Sequence, residues 1–251
     1  MPSSGPIGIF DSGIGGLTVA SALLKQHPEA SLIYFGDTAY LPYGDKSEET
    51  IISRVQYILE FLMDSGCNTI ITACNSASSV LPKIQTPEHI RLLNVIDPVI
   101  DALPDSFEDK TVGVIGTRRT IASGVYQTKL AAKFPLAKSV AMATPLLAPL
   151  IEEGFISDEI ADEVVEAYLD RMGDLDALIL GCTHYPLIQD RIAKYYQNKT
   201  LLFSAPEYLV NLLDSNLEKG PQKFYVSDYT DSFEQTADFF FGSEIHLEKA
   251  E

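Results

Sequence analysis

Thr69-Ile70-Ile71-Thr72-Ala73-Cys74-Asn75 and Ala177-Leu178-Ile179-Leu180-Gly181-Cys182-Thr183 share one pattern: an apolar run that ends on a cysteine and then a polar residue. Upstream of each lies a second matched pair. Ile7-Gly8-Ile9-Phe10-Asp11-Ser12 parallels Val112-Gly113-Val114-Ile115-Gly116-Thr117. Ser12 precedes Cys74 by 62 residues, and Thr117 precedes Cys182 by 65. Val/Ile runs can match by coincidence. The matched spacing favours two pseudo-equivalent α/β lobes, with the N-terminal lobe closed by the C-terminal residues: 1–97 plus 207–251 around Cys74, and 98–206 around Cys182.

Working outward, short apolar runs alternate with amphipathic ones. Ile7–Phe10, Leu32–Phe35, Thr69–Ala73, Leu92–Ile96, Thr111–Ile115, Ser139–Met142 and Ala177–Leu180 read as strands, with Phe224–Val226 and Glu244–Leu247 near the end. Near-continuous apolarity suits strands buried on both faces of a parallel sheet. Between them, Glu48–Ser65 places Ile51, Val55, Ile58 and Leu62 on one helical face, with Ser47 as cap and Gly66 as stop. Asp158–Met172 offers Ile160, Val164, Tyr168 and Met172 as a second such face, and further helices are expected near Glu207–Leu217 and Asp231–Phe239. Strand–helix alternation implies βαβ units, mostly parallel sheets flanked by helices, and right-handed crossovers. In such sheets ligands bind beyond the carboxyl ends of the strands. The expectation is therefore an active site in an inter-lobe crevice, with Cys74 and Cys182 on its opposite walls.

The composition narrows the function classes. The 251 residues carry 18 Lys and Arg against 35 Asp and Glu, a formal charge of −17. Such a surface repels phosphate backbones, so nucleic acid is not an expected partner. No apolar stretch has the length of a bilayer span, and the N-terminus lacks the pattern of a secretory signal. Three widely spaced cysteines make no disulfide framework. The expectation is a cytoplasmic protein with reduced thiols. The segment 152–176 holds ten acids and one base, which reads as a solvated helical face.

Cys74 and Cys182 each follow a strand and precede polar residues. A cysteine at a helix start gains thiolate character from the backbone dipole. A lone cysteine is more often a packing residue; two at one topological position point to function. Cys67 has no polar surroundings in the sequence and reads as structural. His184, in Gly181-Cys182-Thr183-His184-Tyr185-Pro186, can tune the thiol or bind a carboxylate. Asp11-Ser12-Gly13-Ile14-Gly15-Gly16 allows a tight turn and close backbone approach to an anion. It is neither GxGxxG, since position 18 is Thr18, nor a Walker A loop. A small carboxylate ligand fits it better than a nucleotide, and Asp11 suggests a proton relay or an amine contact.

Taken together, Phe10-Asp11-Ser12-Gly13-Ile14-Gly15-Gly16-Leu17, Gly36-Asp37-Thr38-Ala39 with Pro42-Tyr43-Gly44, Ala73-Cys74-Asn75-Ser76-Ala77, Pro149-Leu150-Ile151-Glu152-Glu153-Gly154 and the Cys182 segment resemble the glutamate racemases of the cofactor-independent aspartate/glutamate racemase superfamily. That resemblance implies interconversion of L- and D-glutamate without a cofactor or metal, supplying D-glutamate for peptidoglycan. It implies Cys74 and Cys182 as the acid/base pair, with Asp11, Glu152 and His184 assisting. Substrate contacts would come from Asp11, Ser12, Tyr43, Gly44, Asn75, Ser76, Thr117, Thr183 and His184, in a homodimer. Two positions depart from the family pattern: Ser76 stands where threonine is usual, and Tyr40 where many members carry arginine.

Inverting an α-carbon requires a proton to leave one face and another to arrive at the opposite face. Two opposed thiols suit that task because a thiolate pKa can be tuned toward the working pH. The rival readings are a racemase of a related substrate such as aspartate, a cysteine hydrolase using His184, a zinc site, and a two-lobed amino-acid-binding protein without turnover.

Overall fold

The structure, a computed structural model, describes residues 5–157 and 159–250. The first four residues of the N-terminal reading, and Asp158 at the head of the expected second helix, lie outside the described residues.

The chain forms two compact units, Met1–Val95 with Pro206–Glu251, and Ile96–Ala205. Among the described residues ten strands run through them: β1 (Ile7–Asp11), β2 (Leu32–Gly36), β3 (Thr69–Thr72), β4 (Arg91–Asn94), β5 (Thr111–Gly116), β6 (Lys138–Ala143), β7 (Ala177–Gly181), β8 (Leu201–Phe203), β9 (Gln222–Val226) and β10 (Leu247–Lys249). The first unit holds a six-stranded sheet in the order β10-β9-β2-β1-β3-β4, and the second a four-stranded sheet in the order β6-β5-β7-β8. These ten strands pair in parallel throughout, and the isolated bridge Ala30–Lys219 is antiparallel. The order β2-β1-β3-β4 thus recurs as β6-β5-β7-β8. In each sheet the chain leaves a central strand toward one side and returns on the other.

The register accounts for the sequence spacing. Phe10 pairs with Thr72, an offset of 62 residues, and Gly116 pairs with Gly181, an offset of 65. Ser12 and Cys74 therefore emerge at the same height beyond their paired strands, as do Thr117 and Cys182.

The helices cover the sheets with apolar stripes. Helix Glu48–Asp64 buries Ile51, Val55, Ile58, Leu59 and Leu62. The Ser47 side chain caps it by accepting from the Thr50 N–H, and Gly66 ends it at φ +87°. This stripe joins Phe10, Phe35, Tyr43, Ile70 and Cys67 in one core cluster. Burial pushes the Cys67 thiol up to about 12, which suits a packing role.

Several expectations need correction. Helix Glu159–Leu169 turns Ala161, Val165 and Leu169 inward and leaves Ile160 54% exposed. The expected stripe is one residue off, because small Ala161 lets the helix lie close where bulky Ile160 drew the reading. Of the expected residues only Met172, beyond the helix end, is buried. The strand expected at Glu244–Leu247 is instead Leu247–Lys249, because the Ile245 N–H donates to the Asp238 carboxylate rather than to a ladder. The helix expected at Glu207–Leu217 is Ala205–Val210; it stops before Asp214-Ser215-Asn216, residues that prefer turns. The strand expected at Leu92–Ile96 ends at Asn94, since Ile96 already has helical angles ahead of helix Asp97–Ala102. The three-residue strand β8 had no sequence reading at all.

The turn after β1 depends on two close approaches. A Cβ on Gly16 would sit 2.6 Å from the Asp11 Cβ and 2.9 Å from the Ala73 Cβ, and one on Gly36 would sit 2.3 Å from the Gly13 carbonyl oxygen. Only glycine lets the helix Leu17–Gln26 start this close to β1 and β3. Gly16→Ala is expected to destabilise the protein by about 1–3 kcal/mol through overpacking, read as a lower urea midpoint with an unchanged m-value. An unchanged midpoint would contradict the close fit.

Candidate active site

In the first unit, chemistry-bearing residues gather at the carboxyl ends of β1 and β3, where the strand order reverses. Asp11 ends β1 and is buried; its Oδ2 accepts the Gly13 N–H at 3.0 Å. The buried Tyr34 hydroxyl donates to the Gly13 carbonyl at 2.9 Å and pins the glycine turn from beneath. Cys74 follows β3 as the cap of the short helix Asn75–Ser78 and is only 6% exposed. Its Sγ accepts the Ala77 N–H at 3.4 Å and lies 3.6 Å from the Ser12 Oγ. Asn75 and Ser76 are buried beside it.

Tyr43 does not present its hydroxyl as a ligand contact. Its ring is fully buried and its hydroxyl donates to the Asp37 Oδ2 at 2.5 Å. Burial first, and then the Asp37 charge, hold its pKa far above the ordinary phenol value, so it stays a donor. Gly44 lies in the same short 3-10 turn, Tyr43–Asp45, which packs on helix Asn75–Ser78.

The second unit builds the equivalent position differently. Cys182 follows β7 and is 7% exposed. Its Sγ is 3.5 Å from the His184 Nδ1, and the Thr183 Oγ1 is 3.4 Å from the same nitrogen. The far nitrogen, Nε2, meets the Glu152 Oε1 at 2.7 Å. Glu152 ends helix Leu147–Glu152, and its side chain is 32% exposed. Burial works against an imidazolium at His184, yet the negative charge available on Cys182 and the hydrogen bonds and charge of Glu152 outweigh it. The His184 pKa is pushed well above its ordinary value. The thiol thus heads a chain of contacts, Cys182 to His184 to Glu152, that reaches toward the surface. Thr117, the counterpart of Ser12, caps helix Arg118–Ala122 by accepting the Thr120 N–H at 3.1 Å.

Sequence reasoning missed the braces around these groups. Tyr185 and Thr144, both buried, join their hydroxyls at 2.7 Å, and Thr144 anchors the end of β5 through its N–H to the Gly116 carbonyl. Asp37 and Arg54 form the ion pair beneath the Tyr43 turn. A cavity of about 820 Å³ lies at the opposite, amino-terminal edge of the second sheet, lined by residues such as Lys110, Asp176 and Tyr196. It contains none of the expected site residues; Cys74 and Cys182 instead both follow the carboxyl ends of strands. Among the described residues, no three His, Cys, Asp or Glu side chains come together as a metal site, and no helix is long and apolar enough to cross a membrane.

Residues 18–213 match the Asp/Glu/Hydantoin racemase family. The chain belongs to this family. It is an enzyme of the amino-acid racemase class, an isomerase. Racemases of this family that resemble it along nearly their whole length include the glutamate racemase of Persephonella marina, 40% identical over 98% of this chain and 96% of the relative. That of Aquifex aeolicus is 38% identical over 95% of each. The crystal structure of the Francisella tularensis glutamate racemase in complex with D-glutamate matches with a TM-score of 0.89 and 35% identity, over 98% of this chain and 97% of that one.

The Glu152–His184 pair makes a pH-dependent prediction. The raised folded-state pKa of His184 means that its proton stabilises the fold below the unfolded value, about 6.5, and that this contribution is lost as pH rises through the folded value. Glu152→Gln should lower the His184 titration midpoint seen by NMR. The stability gap between wild type and Glu152→Gln should close as pH rises through the wild-type His184 midpoint. An unmoved midpoint would contradict the pairing.

Proposed function

We propose that this chain interconverts L- and D-glutamate by moving the α-proton between two thiols, Cys74 and Cys182, without a cofactor. The observation that carries the reading is the recurrence of a cysteine at the same switch-point position in two sheets of the same strand order. The Persephonella and Francisella relatives, both glutamate racemases, supply the substrate.

In the forward step one thiolate takes the α-proton, forming an S–H bond as the C–H electron pair passes to the α-carbon. The other thiol then gives its proton to the opposite face and becomes a thiolate. Each turnover leaves the two sulfurs with exchanged protonation states. His184, with its Nδ1 3.5 Å from the Cys182 Sγ and its Nε2 on Glu152, would take up and return a proton there and so help to reset the thiol. Asp11, buried at the end of β1, would do comparable work on the Cys74 side. Ser12, Asn75, Ser76, Thr117 and Thr183, together with the backbone at Tyr43 and Gly44, would hold the substrate's carboxylates and amine. Carbanion character at the α-carbon would be stabilised by aimed donors in a site that excludes water. The hydroxyl of Ser76 preserves the donor that threonine supplies elsewhere in the family.

The product would serve as D-glutamate for peptidoglycan, in the cytoplasm, from an enzyme acting as a homodimer. Chiral analysis of reduced protein incubated with L-glutamate, D-glutamate and aspartate tests the reading. Wild type should racemise both glutamates and leave aspartate largely unchanged. Cys74→Ala and Cys182→Ala should each lose at least about 100-fold in kcat. Near-normal turnover in either variant would remove the two-thiol assignment.

A further inference from the structure

We propose that Arg54 is a positioning residue for substrate binding, acting through Asp37 and Tyr43 on the turn beside Cys74. This rests on the reading above and names a part of the site that neither the motifs nor the family pattern assigns.

Asp37 follows β2 and is completely buried. Its backbone N–H donates to the Asp11 carbonyl at 3.0 Å, which ties it to the end of β1. Its carboxylate receives three hydrogen bonds. Arg54 gives two, Nε to Oδ2 and Nη2 to Oδ1, both at 2.9 Å, and Tyr43 gives the third. A fork of this kind fixes direction as well as charge. One carboxylate therefore joins three segments: the end of β2, helix Glu48–Asp64 and the Tyr43–Asp45 turn.

The guanidinium is held in turn by two rings. Tyr40 lies 4.0 Å and Tyr57 4.5 Å from its central carbon. Tyr40, the departure from the arginine common in the family, thus stacks on Arg54 and closes the segment between Asp37 and Tyr43 over the ion pair. At the start of the segment, Thr38 bonds to the backbone of Asp228. The segment is fastened at Thr38, at Ala39, whose N–H donates to the Ser227 Oγ, at Tyr40 and at Tyr43; Arg54 holds Tyr40 directly and Tyr43 through Asp37.

Cys74 shares the core cluster with Tyr43 but has fastenings of its own. Its own strand sets its backbone, and Ala77 and Ser12 hold its sulfur. Loosening Arg54 therefore disturbs the turn that packs against helix Asn75–Ser78, while β3 and the Ser12 contact still hold the thiol. The consequence is weaker substrate binding with little change in the chemical step. Loss of ground-state and transition-state contacts alike raises KM and leaves kcat.

Arg54→Met would strand a buried carboxylate and can fail to fold, so the decisive variants are Arg54→Lys and Tyr43→Phe. Arg54→Lys keeps the charge but loses the fork and the stacking plane; Tyr43→Phe keeps the ion pair and loses one hydroxyl. Racemisation of L- and D-glutamate is followed by chiral analysis, with thermal melting as the check on folding. Both folded variants should raise KM about tenfold, equivalent to about 1.4 kcal/mol, in both directions, with kcat within about twofold of wild type. A lower melting temperature with unchanged KM in either variant would show a purely structural brace and overturn the proposal, as would a fall in kcat with KM unchanged. Wild type without glutamate racemisation would overturn the underlying reading as well, and that control separates the two failures.

Discussion

The register between paired central strands is the constraint on which the rest depends. In each unit two parallel strands separated by more than sixty residues lie side by side, and the chain leaves the sheet at matched heights. That pairing brings a hydroxyl residue and a cysteine together at the point where the strand order reverses. A one-residue slip in a strand exchanges its faces; the thiol would then emerge on the other side of the sheet. The fit is enforced by small residues. A Cβ on Gly116 would come within 2.9 Å of the Gly181 carbonyl oxygen, and one on Gly181 within 2.8 Å of that of Ile115.

From that common frame the two units diverge in how they treat the sulfur. Cys74 meets neutral groups: its Sγ accepts the Ala77 N–H and donates to the Ser12 Oγ. Cys182 meets an imidazole that is itself held by a carboxylate. The first arrangement relies on backbone geometry and the second on a titratable relay. A reaction that exchanges the roles of two thiols does not require identical surroundings. It requires that each sulfur can both hold and release a proton, and the two sets of partners offer two routes to that end.

Much of this was legible in the sequence because parallel strands leave strong apolar runs and because the spacing from each hydroxyl residue to its cysteine equals the strand offset. The long helix Glu48–Asp64 could be read in full, since large aliphatic residues at 51, 55, 58 and 62 leave one solution. Helix Glu159–Leu169 could not, because its inward stripe contains an alanine while a bulky isoleucine stays outside. The braces were illegible for another reason. Asp37, Arg54 and Tyr43 meet only through tertiary contact, and an acid 17 residues from an arginine carries no local periodicity. Tyr43 illustrates the cost: the motif placed it at the site, but only the packing shows that its hydroxyl is taken by Asp37.

The central claim is that two groups, not one, handle the α-proton. The most direct test follows deuterium in D₂O at early times, starting from fully protiated L-glutamate and then from D-glutamate. With two thiols the abstracted proton stays on one sulfur while the other delivers solvent deuterium. Newly formed product should carry deuterium at the α-carbon in both directions, and recovered substrate should remain protiated. Product that retains the substrate's own proton in the first turnovers would mean a single base serving both faces, and would contradict the account.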